Sequence, residues 1–415
     1  MESMAGVRDY CLLARGARTS LRSATSEMKN AALLSMANRL IENIESILES
    51  NRLDLKLATE AGMGATAMDR LRLDEKRVSS MASQLTEIAL LEDPVGEISR
   101  GYRRPNGLKV SKVRVPLGVV AVIYENRPNV TSDAAGLCIK SGNVALLRGS
   151  SSAIHSNSHI TSLLQDSLEE VGINRHAITL IPFTDRESAI EFMRQDGLID
   201  LLVPRGGKSL IQSIKENATV PYVIDGDGNC HIYVDASADI EMALSIVKNA
   251  KMSRPGVCNA AETLLLHESI AKEFLDRSAS SLQGVEIRGD ETVLSYLPDA
   301  KVAVEDDWAN EFLDLVLAVR VVPSIDEAIL HIERYGTGHS EAIVTNDFSN
   351  AQRFVDDVDA AATLVNASTR FVDGNELGLG AEIGISTQKL HARGPLGLRE
   401  LTTEKYVILG SGQIR

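Results

Sequence analysis

Val119-Val120-Ala121-Val122-Ile123, Val144-Ala145-Leu146-Leu147, Ile178-Thr179-Leu180-Ile181, Leu201-Leu202-Val203 and Tyr222-Val223-Ile224 are short apolar runs between Gly118 and Val234, separated by segments with helical spacing. Runs of this kind suit strands buried on both faces, and their alternation with helices argues for a parallel α/β sheet. Toward the N-terminus the period changes. Residues 5 to 92 read as helical, with Leu33, Leu34, Met36, Ala37, Leu40, Ile41, Ile44 and Leu48 on one apolar face. Residues 97 to 115 alternate polar and apolar about Pro105-Asn106-Gly107, the pattern of a β-hairpin between two exposed strands, which invites a partner subunit. Toward the C-terminus, a strand at Cys230 to Val234 leads into a second α/β section. Its strands fall near Ala261 to Leu266, Leu315 to Val322, Ala342 to Val344 and Thr363 to Val365, and Lys405 to Leu409 reads as a last strand.

With 415 residues and 44% hydrophobic content, the chain can bury a large core and should divide into two or three domains. Its formal net charge of -14 repels nucleic-acid phosphates, and no Lys/Arg stripe with interleaved aromatics overrides that. No apolar run reaches the ~18 to 20 residues of a membrane span, and the N-terminus lacks a basic-then-apolar signal layout. The four cysteines form no Cys-x-x-Cys pair, so neither a disulfide framework nor a metal site is expected, and a reducing cytoplasm fits best.

One thiol stands apart. In Ser253-Arg254-Pro255-Gly256-Val257-Cys258-Asn259, Pro255 and Gly256 break the chain between a helical stretch (Asp239 to Met252) and a strand, so Cys258 lies in a turn. A thiol there is a nucleophile if a cation such as Arg254 or backbone N–H groups favour the thiolate, and an inert small hydrophobe if buried. Cys11 and Cys138 in helices and Cys230 on a strand read as core, and His231 points to the face opposite Cys230. The glycine-rich segments are weaker signals. Arg205-Gly206-Gly207-Lys208-Ser209 is no P-loop, because position 202 is Leu, and Gly378-Leu379-Gly380-Ala381-Glu382-Ile383-Gly384 has the wrong spacing for a dinucleotide fingerprint. Arg205-Gly206-Gly207 does lie between a strand and a helix start, so it is either an anion site able to take a pyrophosphate or an ordinary tight turn.

Together, Tyr124-Glu125-Asn126-Arg127-Pro128-Asn129-Val130-Thr131, Arg205-Gly206-Gly207, Arg254-Pro255-Gly256-Val257-Cys258-Asn259, Asn366-Ala367-Ser368-Thr369-Arg370-Phe371 and the run Gly380 to Pro395 resemble the γ-glutamyl phosphate reductase family, within the aldehyde dehydrogenase superfamily. The likeness covers nearly the whole chain. It implies an α/β, aldehyde dehydrogenase-like fold. A Rossmann-type NADP(H)-binding domain would span 1–97 and 116–230, a catalytic domain 231–394, and a small β oligomerisation flap 98–115 and 395–415. The implied reaction is NADPH-dependent reduction of L-glutamate 5-phosphate to the 5-semialdehyde and phosphate, the second step of proline biosynthesis. No kinase segment precedes these motifs, so a separate glutamate kinase is expected to supply the substrate and to make transient contact.

The resemblance also makes Cys258 the catalytic nucleophile that forms a thioester, and gives its oxyanion to the Cys258 N–H and an asparagine amide, Asn129 in first place with Asn126 as the alternative. Arg148 and Ser150, in a strand end without an acidic residue, would accommodate the adenosine 2′-phosphate. Arg205, Gly206, Gly207 and Glu382 are further cofactor candidates, Glu382 alternatively meeting the substrate ammonium. Asn126, Arg127, Arg254, Arg370 and Arg393 are candidates for the substrate. Aldehyde-oxidising relatives carry a water-activating glutamate in Glu-Leu-Gly-Gly where this chain has Asp225-Gly226-Asp227-Gly228, which favours reduction over hydrolysis. The competing readings are NAD(P)-dependent oxidation of another semialdehyde and an inactive scaffold of the same fold. The hairpin and C-terminal strand are expected to pair across subunits of a homodimer or larger assembly.

Overall fold

The computed structural model describes residues 6–224 and 226–415. The chain forms two compact units, Met1–Ile224 with Leu379–Gly384 and Leu396–Arg415, and Asp225–Gly378 with Ile385–Pro395. Asp225, the expected counterpart of the water-activating glutamate, lies outside the described residues.

The first unit opens with helices Val7–Ser23, Ser26–Glu42, Ile44–Glu60, Ala65–Leu71 and Glu75–Leu90. The Thr25 side chain caps the second by accepting from the Met28 N–H, and Leu33, Met36, Ala37 and Leu40 are buried along it. The apolar face expected through Leu48 does not continue unbroken. Asn43 ends one helix and starts the next, so Ile47 takes the buried position while Leu34 and Ile41 are exposed.

Four parallel strands follow, in the order Ile178–Leu180, Val144–Arg148, Val119–Tyr124, Leu201–Arg205. The expected strand at Tyr222 to Ile224 is only a single bridge, Leu202 to Tyr222. Ile98–Arg103, Lys109–Pro116 and Thr402–Leu409 form a separate antiparallel sheet. The C-terminal strand therefore pairs with the hairpin of its own chain, which leaves its other edge and that of Ile98–Arg103 as the sheet's margins.

The compact units are drawn differently from the expected domains, and the first also takes in the hairpin and C-terminal strand expected as a separate flap. The first unit ends at Ile224, and Leu379–Gly384, assigned by sequence to the catalytic domain, rejoins it. Ile383 donates to the Leu396 carbonyl, Ala381 and Ile383 are buried, and Gly380, at φ 78°, leaves no space for a Cβ, which would come within 2.3 Å of Leu91.

The second unit is built on a seven-stranded parallel sheet in the order Lys301–Val302, Glu286–Gly289, Val316–Val322, Ala261–His267, Cys230–Val234, Ser340–Val344, Ala362–Val365. Ile232, Val234, Leu264, Val319 and Ala342 pack against helices Ile240–Met252 and Glu268–Ser281 through Val247 and Phe274. Tyr233, Leu265 and Ile343 fill the opposite face with Ile332 and Phe354. The first two strands were not anticipated because they are short, partly exposed and charged.

Candidate active site

In the second unit, helix Ile240–Met252 stops at Ser253, whose hydroxyl turns back to the Asn249 carbonyl at 2.6 Å, and Pro255 prevents its continuation. The turn that follows places Cys258 half-buried, whereas Cys11, Cys138 and Cys230 are buried. Burial pushes the Cys11 and Cys138 thiols up to about 12, which makes them inert packing residues as the sequence suggested.

The Cys258 turn is held from every side by groups of its own unit. Gly228 runs beneath it so closely that a Cβ would lie 1.6 Å from the Cys258 carbonyl oxygen, so only glycine fits. Glu311 accepts the Gly228 N–H at 2.8 Å, and the Cys230 thiol donates to the Cys258 carbonyl at 3.2 Å. Asn259, 3% exposed, donates to the Val372 carbonyl at 3.0 Å, and its own carbonyl accepts from the Thr369 hydroxyl at 2.7 Å. Arg370 bridges the two ends of the turn, bonding the Asn259 side-chain oxygen and donating from Nε to the Ser253 hydroxyl at 3.3 Å.

Beyond the turn lies a buried ion pair, Lys251 to Glu262 at 2.5 Å, and Glu262 also accepts the Leu313 N–H at 3.2 Å. Burial raises the Glu262 carboxyl to about 7 and lowers Lys251. Arg254 is exposed. Arg393 is paired with Asp359 at 2.7 Å, an acid that also meets Lys389. His231 is bound to Glu341 at 3.0 Å and takes no part with Cys230, in line with their opposite faces.

In the first unit the expected groups follow the ends of the parallel strands. Asn126 has φ 46°, in the left-handed region. The hydroxyls of Ser150 and Ser152 both donate to its side-chain oxygen, and Ser150 accepts its backbone N–H at 3.2 Å. Ser150 is thus a support for Asn126. With the oxygen held, the Asn126 NH₂ group is the end left to donate outward. Asn129 is arranged differently, its NH₂ donating to Asp133 at 2.8 Å. Arg127 is half-buried at the entry to helix Asn129–Lys140.

Arg148 does not reach outward from its strand end. It is 7% exposed and donates to the Asp185 carbonyl at 2.7 Å, because that carbonyl gives the buried guanidinium an acceptor. Arg205 ends its strand, and the Gly207 N–H that opens helix Lys208–Asn217 points to a carboxylate oxygen of Glu125 at 3.2 Å. The helix amino end is therefore an anion site that a carboxylate fills. Glu382 is half-buried on the returning segment of this unit.

Sequence reading missed the supporting roles of Cys230, Glu125, Ser152, Lys251 and Glu262. Only Gly228 carried a signal, as the one glycine shared with the Glu-Leu-Gly-Gly pattern at its last position.

Over residues 14–294, which include both the Gly207 helix end and the Cys258 turn, the sequence matches the model of the aldehyde dehydrogenase family. The chain belongs to that family. Gamma-glutamyl phosphate reductase of Caldanaerobacter subterraneus is 56% identical over 404 residues, 97% of this chain and 98% of that protein. The enzyme of the same name from Geobacter metallireducens is 51% identical over 99% and 98% of the two chains. The crystal structure of the Thermotoga maritima gamma-glutamyl phosphate reductase superposes with a TM-score of 0.96 at 49% identity, covering 98% of this chain and 99% of that one. Within the aldehyde dehydrogenases, this chain is a member of the γ-glutamyl phosphate reductases.

Proposed function

We propose that this protein reduces L-glutamate 5-phosphate to L-glutamate 5-semialdehyde and inorganic phosphate with NADPH, through a thioester on Cys258. The observation that carries the reading is the half-exposed Cys258 in a turn bridged by a guanidinium. Thiolate attack on the acyl phosphate carbonyl expels phosphate, and the Cys258 thiohemiacetal formed after reduction releases the aldehyde and regenerates the thiolate. Bound NADPH supplies the hydride.

The chain's own groups do the rest. The Cys258 N–H donates to the oxyanion. Of the two asparagines considered for the second donor, Asn126 is favoured, because its amide oxygen is fixed by two serines while the Asn129 NH₂ is already engaged. Gly206 and Gly207 fit the pyrophosphate, since the helix end already accommodates a carboxylate oxygen. NADP(H) in preference to NAD(H) rests on the segment Gly149-Ser150-Ser151-Ser152, which brings no carboxylate to the ribose.

The antiparallel sheet, with Tyr406, Ile408 and Leu409 exposed beside an unpaired strand edge, suits a homo-oligomer contact. A nucleophilic thiol outside any disulfide suits a reducing cytoplasm, and a labile acyl phosphate favours transient contact with the kinase that makes it.

The test is NADPH consumption by purified protein with glutamate, ATP and a separate glutamate kinase. Consumption that requires the kinase and falls at least ~10³-fold in Cys258→Ala is the expected result. Full activity in that variant sinks the thioester mechanism, and no consumption with active kinase sinks the substrate.

A further inference from the structure

We infer that Arg370, together with Arg254, forms the subsite that receives the substrate's phosphoryl group, a deepening that rests on the acyl phosphate reductase reading. The reaction is favoured by a cation at the thiol. As Sγ bonds to the carbonyl carbon, the C–O bond to phosphate breaks, its electron pair leaves on phosphate, and the proton given up by Cys258 ends on that departing oxygen. Negative charge thus moves from sulfur to phosphate over one or two bond lengths, and one guanidinium can face it throughout. The α-carboxylate, at the other end of the glutamate chain, needs a different cation.

Geometry singles out Arg370 among the arginines of this unit. It bonds Asn259 next to the nucleophile and Ser253 at the start of the same turn. Both bonds go to neutral oxygens, so its charge is not cancelled by direct contact with an acid, and Asp373 and Glu376 act on it only as longer-range attractions. Its other charged neighbours are Cys258 and Arg254. Arg254, exposed and four residues before Cys258, is a second guanidinium whose charge bears on Arg370, and the planar forks of the two suit a phosphate dianion. Arg393 is less suited, because Asp359 already pairs with it.

The reverse reaction separates the ends of the substrate, because inorganic phosphate and the semialdehyde are then independent co-substrates. With the full-length enzyme and NADP, Arg370→Gln should raise the KM for phosphate about tenfold or more while the KM for semialdehyde stays within about threefold. Arg254→Gln, which removes none of the bonds holding the turn, should act in the same direction more weakly. Both variants should shift the pH profile of Cys258 alkylation upward, a change that simple loosening of the turn would not produce. Arg370→Lys should recover part of the phosphate affinity and covers the case in which the Gln variant folds poorly. A rise in semialdehyde KM with phosphate KM unchanged would overturn the assignment. Wild-type oxidation that proceeds without phosphate would instead overturn the acyl phosphate reading itself, and the subsite with it.

Discussion

The two parallel sheets of this chain offer chemistry from opposite ends. In the first unit, strands Val119–Tyr124, Val144–Arg148 and Leu201–Arg205 run into helices whose amino ends follow within a few residues. Those ends present backbone N–H groups and the positive pole of the helix dipole. In the second, Cys258 lies between the carboxyl end of helix Ile240–Met252 and the start of strand Ala261–His267, and neither supplies a helix amino end to the turn. A sheet read from its strand C-termini obtains a positive field from the backbone. The Cys258 turn, placed at a strand N-terminus, has only side chains to supply one, and Arg370, bonded to the adjacent Asn259, is a cation held against it.

The largest expected effect in the first unit belongs to Asn126, the proposed oxyanion donor. Asn126→Asp keeps the acceptor for Ser150 and Ser152 and a residue type that tolerates φ 46°, but removes the N–H donor. A kcat loss of ~10² to 10³-fold is expected, against about tenfold or less for Asn129→Ala. The measurement is steady-state reduction with each variant, with circular dichroism to verify folding. If the order is reversed, Asn129 is the oxyanion donor and its bond to Asp133 must open during turnover.

What was legible in the sequence follows the range of the forces involved. Val119–Tyr124, Val144–Arg148 and Ala261–His267 were readable because local apolar runs encode burial on both faces. Tyr222 to Ile224 carries the same signal without becoming a strand, since its pairing to Leu202 extends over one bridge. Glu286–Gly289 carries almost none, yet is ordered into the sheet by its neighbour Val316–Val322. Around the site, the turn at Cys258 could be read from Pro255 and Gly256. The inward path of Arg148 could not, because its acceptor belongs to Asp185, distant in sequence. The partners that distinguish the two asparagines were likewise not singled out: Ser150 and Ser152, distant in sequence, for Asn126, and Asp133, one helical turn on, for Asn129.

Glu125 sharpens the account of the first unit with a smaller effect. Its carboxylate occupies the amino end of helix Lys208–Asn217 by accepting the Gly207 N–H. A pyrophosphate using that end must displace a negative charge, so Glu125→Gln, which keeps an acceptor and loses the charge, should tighten NADP(H) binding. One helix-end interaction corresponds to about two- to fivefold in Kd. Fluorescence titration of NADPH measures it. An unchanged Kd would show that the cofactor's phosphates do not use this helix end, and the backbone field would lose its assigned task.

Asp133 tests how far that backbone field reaches. It lies in the second turn of helix Asn129–Lys140, past the strongest part of the dipole, and Asn129, Ser132 and Arg205 all pull its pKa down. Burial nevertheless prevails and raises it from 3.8 to about 6. The folded chain therefore holds a proton that the unfolded chain has released. This group's contribution to stability is full below about 3.8 and is lost as pH rises through about 6. Between pH 5 and pH 8 the loss amounts to about 1 kcal/mol, and Asp133→Asn, which cannot titrate, should remove that part of the slope. Urea unfolding of both proteins at the two pH values gives the difference directly. Parallel pH dependences would mean that Asp133 ionises as an ordinary carboxyl, and that the helix field outweighs desolvation even this deep in the unit.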